Sequence, residues 1–207
     1  MTLSCHGVPI RISLPNQESN MQLSNLIKCY DNVLPDTYCD FFVKFFEENL
    51  SKAERFENSG CPNFTKLDFT GIQDEELYNE INRSVAYMFH THAQQYANEV
   101  GMSQFFPVGY SFELIRIKKY NVNDLDEFKV HVDVGDIASS SRFLNLFCYL
   151  NDVEQGGETT FPNLNLSFKP KKGSLLIFPP YWFLPHTGEK PISNPKYLLA
   201  TNLHYGS

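Results

Sequence analysis

His131 and Asp133 stand two residues apart in the segment Phe128-Lys-Val-His-Val-Asp-Val134. Alternate side chains of a strand point to one face, so this spacing projects an imidazole and a carboxylate together, with Lys129 beside them. Phe128, Val130, Val132 and Val134 would then form an apolar face that needs a core. A histidine and a carboxylate on one strand can both reach a single ion. A third ligand from another strand would complete a two-histidine, one-carboxylate set, which leaves positions open on iron(II). The triplet alone has little specificity, and its bland alternative is a polar pair on an edge strand. His90 and His92 are also two apart, but on a stretch that reads as helix, where side chains two apart diverge. They are expected to be structural or on the surface. His6 and His204 have no evident partner.

The elements that would position these residues fall into two styles that meet near residue 105. In the first half, Ile27 to Val33 reads as a short strand closed by Leu34-Pro35, and Asp36 is placed to cap a helix. Tyr38, Phe41, Phe42, Phe45 and Phe46 then recur at helical spacing. Ser51 to Gly71 reads as loop with at most one strand. Asp74 to about Val100 reads as a second helix, with Leu77, Ile81, Val85, Met88, His92 and Tyr96 on its apolar stripe. After Pro107 the period changes to two. Strands are expected over Ser111–Tyr120, Phe128–Val134, Arg142–Asn151, Leu164–Phe168, Gly173–Phe178 and Lys196–His204. Short strands with regular turn punctuation suggest a sandwich or barrel rather than a parallel sheet.

Composition narrows the class. The chain has 207 residues, 42% of them hydrophobic and 20% charged, enough to bury a core without staples. Five cysteines at irregular spacing with no CxxC pair exclude a disulfide framework or a zinc ribbon. Neither a basic-then-apolar leader nor a long apolar run is readable, so a soluble, cytoplasmic protein in a reducing compartment with no membrane partner is expected. The net charge of −7 makes a nucleic-acid partner unlikely on charge grounds. All of that excess lies in residues 1–105, with 7 basic and 14 acidic residues, whereas the remainder carries 10 of each. Arg116, Lys118, Lys119 and Lys129 crowd the strands leading to His131, so a polyanion is less excluded there.

Several elements then occur in a fixed order: His131-x-Asp133; Tyr149-Leu-Asn-Asp-Val-Glu-Gln-Gly-Gly-Glu-Thr-Thr-Phe-Pro162; Lys169-Pro-Lys-Lys-Gly-Ser-Leu-Leu-Ile-Phe-Pro179; His186; and Lys196 ten residues on. This order resembles the iron(II)- and 2-oxoglutarate-dependent dioxygenases, in particular the prolyl 4-hydroxylase-like branch, over about residues 106–205. The resemblance implies an α+β, mainly β fold: a double-stranded β-helix (jelly roll) core at 106–207, with 1–105 as an N-terminal helical and mixed support region of the same domain. It implies that His131, Asp133 and His186 ligate iron and that Lys196 pairs with the distal carboxylate of 2-oxoglutarate. Tyr149 and Tyr120 match positions that line the cosubstrate pocket. Asn202 stands where a larger residue is common, on the inward face it shares with Lys196, Leu198 and Ala200.

The implied cofactors are Fe(II), 2-oxoglutarate and O2, with ascorbate as a further one. The implied activity is hydroxylation of an unactivated C–H bond, releasing succinate and carbon dioxide, with peptidyl proline as the favoured substrate. A free amino acid or other small molecule is the alternative. Two other classes compete: a zinc hydrolase on the same three ligands, which has no need of Lys196, and a non-catalytic jelly-roll binding module. Substrate choice would lie with the loops Asn121–Glu127, Gly135–Ser141 and Ser51–Gly71, of which Ser139–Ser141 is the candidate lid. The sequence gives no indication of oligomeric state.

Overall fold

A computed structural model describes residues 22–57, 62–69 and 75–206, with backbone alone at 75–79. Cys5, His6, Cys61, Asp74 and the Leu77 side chain lie outside what is described. Among the described residues the chain forms two α-helices and twelve strands. β1 (Lys28–Tyr30) leads into α1 (Asp36–Glu48), which buries Cys39, Phe42 and Phe46. The N-cap is Pro35, not Asp36. Proline has no N–H to leave orphaned, and its carbonyl accepts the amides of Tyr38 and Cys39 at 2.9 and 3.1 Å. Asp36 instead opens the first turn, where a carboxylate suits the helix dipole. α2 (Glu75–Glu99) buries Ile81, Val85, Phe89, Ala93 and Tyr96. Met88 and His92 lie along one flank of this stripe and are only partly buried.

The polar stretch after α1 holds two strands rather than one. β2 (Glu54–Phe56) and β3 (Phe64–Asp68) pair as an antiparallel hairpin. The expected strand Ser111–Tyr120 is divided into β4 (Tyr110–Phe112) and β5 (Arg116–Tyr120). Both lie against β12 (Lys196–Tyr205), which also pairs along its length with β7 (Arg142–Tyr149). β10 (Leu175–Phe178) pairs with β7 and with β1. The larger sheet thus runs β1-β10-β7-β12-β5-β3-β2, with β4 also on β12. A smaller sheet runs through β6 (Phe128–His131), β11 (His186–Gly188), β8 (Thr159–Phe161) and β9 (Leu166–Phe168). β8 and β11 have three residues each, too short to show a period.

One face of the larger sheet carries Leu146, Cys148, Ile177 and Leu199, which pack with Phe42, Phe46 and Phe89 of the two helices. Its other face packs Tyr149, Leu176, Phe178 and Leu198 with Phe161 of the smaller sheet. Two antiparallel sheets sharing this inner cluster form the jelly-roll core, with the helices outside it. The first half is therefore not only helical, since β1, β2 and β3 extend the same sheet. Among the described residues no helix is long and apolar enough to cross a membrane. Cys29, Cys39 and Cys148 are free thiols.

Leu199 is fully buried between β12 and the helices. Leu199→Ala is expected to lower the unfolding free energy by about 2–5 kcal/mol, read from the urea midpoint at constant slope. A loss below about 1 kcal/mol would mean that the helical layer is not packed on this sheet as described.

Candidate metal centre

β6 does not alternate as its sequence suggests. His131 pairs with His186 of β11, but Phe128 pairs with Gly188, so β6 spends three residues where β11 spends two. This irregularity turns Phe128 and His131 to the same side, where their rings stack at 3.4 Å between centroids. Val130 is left 60% exposed, not in the core. The strand ends at His131, and Asp133 lies in the bend just beyond it. An extra residue in one strand of a pair re-aims side chains in this way.

The bend brings Asp133 between the two histidines. His131 Nε2 lies 3.4 Å from Asp133 Oδ1, and His186 Nε2 lies 3.3 Å from Oδ2. Donor atoms of the three residues all lie within 4.8 Å of one another. The other ring nitrogens face main-chain carbonyls: His131 Nδ1 meets Lys129 O at 2.7 Å and His186 Nδ1 meets Leu184 O at 3.3 Å. Such contacts fix the tautomer that leaves Nε2 free for a metal. His186 Nε2 is buried and has no hydrogen bond of its own. A buried nitrogen without a partner is costly, and a cation among the three groups would satisfy it. Burial alone would raise the Asp133 carboxyl, but the two imidazoles hold it well below the usual carboxylate range. The carboxyl is therefore held in its ionised form, and two imidazoles with one carboxylate fit iron(II).

Asp133 is held from behind. Asn145 Nδ2 donates to Asp133 Oδ2, and Arg142 donates to the Asp133 carbonyl at 3.2 Å. Arg142 also pairs with Glu113, which accepts from Arg116 and Asn202 as well. Burial would raise Glu113, but these donors hold it below its ordinary value.

The triad forms one part of a cavity that Lys118, Tyr120, Phe128, Thr159 and Lys196 also line. Lys196 is 2% exposed and donates to Gly157 O at 2.9 Å. Its ammonium lies 4.4 Å from the centroid of the Tyr120 ring. Burial pushes its pKa down to about 7. Gly157 has φ +76°, and a Cβ there would meet Val153 and the Lys196 stem at 3.3 and 3.5 Å, so the double glycine lets the main chain close over the lysine.

The structure gathers His131, Asp133, His186, Lys196 and Tyr120 around one space. Tyr149 stands behind its wall, donating to the Thr159 hydroxyl at 2.7 Å. Asn202 lies beyond Ala200, pairs across the strands with Asn145 and donates to Glu113 at 3.3 Å. Neither is among the residues that line the cavity. Lys118, Thr159 and Asn145 were not singled out as site residues. Lys118 had a readable signal, since it sits two residues before Tyr120 and shares its face, whereas Thr159 and Asn145 look like ordinary strand residues. His90 contacts the Tyr110 hydroxyl at 2.6 Å and His92 contacts Met88 O at 2.8 Å, both structural. His204 contacts the carbonyl of Tyr205 at 3.2 Å.

Comparison with known proteins agrees with this geometry. The chain is similar to a viral collagen prolyl hydroxylase from Paramecium bursaria Chlorella virus-1, solved with 2-oxoglutarate, at TM-score 0.65 and 20% identity over 88% of this chain and 97% of that one. A Pseudomonas putida prolyl-4-hydroxylase matches at TM-score 0.65 and 15% identity over 88% and 94%. A Trichoplax adhaerens prolyl hydroxylase, solved with a peptide of the hypoxia inducible factor oxygen degradation domain, matches at TM-score 0.65 and 18% identity over 88% and 84%. At these identities the likeness concerns the fold. In sequence, 39 residues are 51% identical to a putative prolyl 4-hydroxylase of Acanthamoeba polyphaga mimivirus, covering 19% of this chain and 16% of that protein's length. Residues 115–204 match the model of the 2OG-Fe(II) oxygenase superfamily, whose cofactors are iron(II), 2-oxoglutarate and O2. The triad and the buried lysine both lie within the segment that matches the 2OG-Fe(II) oxygenase superfamily, and the chain is similar in fold to the prolyl hydroxylases.

Proposed function

We propose that this protein is an iron(II)- and 2-oxoglutarate-dependent dioxygenase that hydroxylates peptidyl proline and releases succinate and carbon dioxide. The observation that carries the reading is Lys196. A buried ammonium facing the cavity that holds a two-histidine, one-carboxylate set needs an anion, and a dicarboxylate that also reaches the metal supplies one. A zinc hydrolase has no use for that lysine, and a binding module has no use for either feature.

Bound iron would supply the activation of oxygen and the oxidising power. The protein's own residues supply placement. His131, Asp133 and His186 would hold one face of the metal and leave the other open. Asn145 and Arg142 orient Asp133 from behind, as outer partners of metal ligands do. Lys196 would take the distal carboxylate of 2-oxoglutarate, with the Tyr120 ring against its ammonium. Phe147, Phe161 and Phe178 lie around His186, with ring centroids 6.4, 5.8 and 4.7 Å away, and keep water from its inner side.

Peptidyl proline is favoured by the similar proteins, which are prolyl hydroxylases, one of them solved with a peptide. It is also favoured by the apolar side chains beside the site. Val130, Ile137 and Trp182 are strongly exposed. The bend after β6 and the turn before β11 that carry Ile137 and Trp182 are joined where Val134 N donates to Pro180 O at 3.1 Å. The segment with Ser139–Ser141 is a tied turn, in which Ser139 N donates to the Asp136 carboxylate at 2.8 Å. The free thiols described above support a reducing, cytoplasmic location.

Succinate release, screened over proline-containing peptides, free amino acids and single-stranded nucleic acid, tests the substrate class. Release with free amino acids and not with peptides would replace the peptidyl assignment by the small-molecule one.

Metal and cosubstrate binding test the site separately. Asp133→Ala is expected to abolish stoichiometric Mn(II) binding, and Asn145→Ala to weaken it about 10- to 100-fold. Lys196→Ala should keep Mn(II) binding and lose 2-oxoglutarate affinity; unchanged affinity would refute its carboxylate role.

The pH dependence has a defined sign. Below about pH 7, Lys196 is protonated before and after ligand binding. Above it, the free protein must take up a proton when the carboxylate arrives. Affinity should therefore fall towards tenfold per pH unit as pH rises above 7, until the bound-state pKa is reached. Calorimetry in buffers of different ionisation enthalpy at pH 8 would detect the proton uptake.

A further inference from the structure

Lys118 is a second cation in the same cavity, and the assignments above give it no partner. It lies on the inward face of β5, opposite Leu198 of β12 on one side and Lys66 of β3 on the other. Like charges directly opposed across strands are destabilising. Lys66 has carboxylates to offset this, Glu54 at 3.0 Å and Asp68 at 3.6 Å. The next residue on the same face, Arg116, has Asp68 at 3.1 Å and Glu113 at 3.2 Å. Among the described residues no carboxylate or carbonyl is bonded to the Lys118 ammonium, which lies instead 5.0 Å from the Phe64 ring and 5.7 Å from the Phe147 ring.

Those two rings belong to β3 and β7, which flank the β5–β12 pair on opposite sides. The ammonium therefore lies over the middle of this sheet, on the same cavity wall as Lys196. Any ligand that extends between Lys196 and the triad must share that space. Burial disfavours the charged form, whereas Asp133 and, more weakly, Glu113 favour it; a bound metal would engage Asp133. Lys118 pairs in register with Leu198 and Lys196 with Tyr120, so the two lysines are diagonal neighbours about 7–8 Å apart at their backbones. This places two ammonium groups in a single cavity, for a ligand with two carboxylates.

We propose that Lys118 is a second cosubstrate-binding residue, whose ammonium takes the carboxylate next to the keto group of a 2-oxo acid while Lys196 takes the distal one. This inference rests on the 2-oxoglutarate reading above. A carboxylate has two oxygens, so one can go to the metal and the other can accept from the lysine. An ammonium at that end also selects for an ionised 2-oxo acid over a neutral carbonyl compound.

Titration calorimetry of the Mn(II)-loaded protein with 2-oxoglutarate reads this without turnover. Lys118→Met keeps an apolar stem against the rings and removes the charge. Its Kd for 2-oxoglutarate is expected to rise about 10- to 100-fold with no loss of Mn(II) affinity, and Lys118→Arg should stay within a few-fold of wild type. If Lys118→Met fails to fold, Lys118→Gln carries the same expectation. 2-Oxobutanoate keeps the keto acid and lacks the distal carboxylate, so its Kd should rise in Lys118→Met and hold in Lys196→Met. Wild-type 2-oxoglutarate affinity in Lys118→Met would overturn the inference alone. Wild-type protein that binds Mn(II) and no 2-oxoglutarate would overturn the proposed function and the inference with it.

Discussion

The constraint on which the rest depends is the burial of Lys196. An ammonium removed from water loses hydration worth far more than one carbonyl hydrogen bond returns. The fold nevertheless anchors it on the longest strand of the larger sheet, β12, under a main-chain loop that only glycine permits at Gly157. Gly157 O and the Tyr120 ring offset part of the cost. The remainder appears as a lowered pKa. A buried ammonium of this kind suits an anion, because a carboxylate beside it favours the charged form.

The two sheets divide the labour of building that site. The larger sheet carries the lysines and the outer support of Asp133, since Asn145, Lys118 and Lys196 lie on β7, β5 and β12. The smaller sheet and its bend carry the metal donors. The helices pack on the opposite face of the larger sheet and stiffen it from behind. The acidic surplus of residues 1–105 is thus a property of the supporting layer and its hairpin. The cavity itself is rich in cations, which is the opposite of what the whole-chain charge suggests.

Much of this was legible in sequence because it rests on order and period. His131, Asp133, His186, Lys196 and Tyr120, which the structure gathers around one cavity, stand out in the succession of elements, and β12 and β7 in runs of apolar residues long enough to show a strand. What escaped notice was local. The extra residue in β6 broke the alternation on which the faces of Val130 and His131 were assigned. β8 and β11 were too short to carry a signal. Asp36 gave up the cap to Pro35 because the proline carbonyl was already in place. Tyr149 and Asn202 share the inward faces of their strands but sit one step away from the cavity, a distance that period alone does not measure.

A polar network holds Asp133 from outside the cavity. Arg142 bonds both the Asp133 carbonyl and Glu113, and Glu113 gathers Arg116 and Asn202. Asn145 and Asn202 face each other across β7 and β12, each with a buried carboxamide oxygen that lacks a donor. Unsatisfied acceptors beside a satisfied ionic network are not what folding stability alone would select. They form the next cross-strand pair on the same face after Phe147 and Ala200, away from Lys196. The groups that hold Asp133 from behind and the lysines that line the cavity therefore occupy different stretches of the same sheet, so the carboxylate is oriented by residues that do not compete with the lysines for an anion.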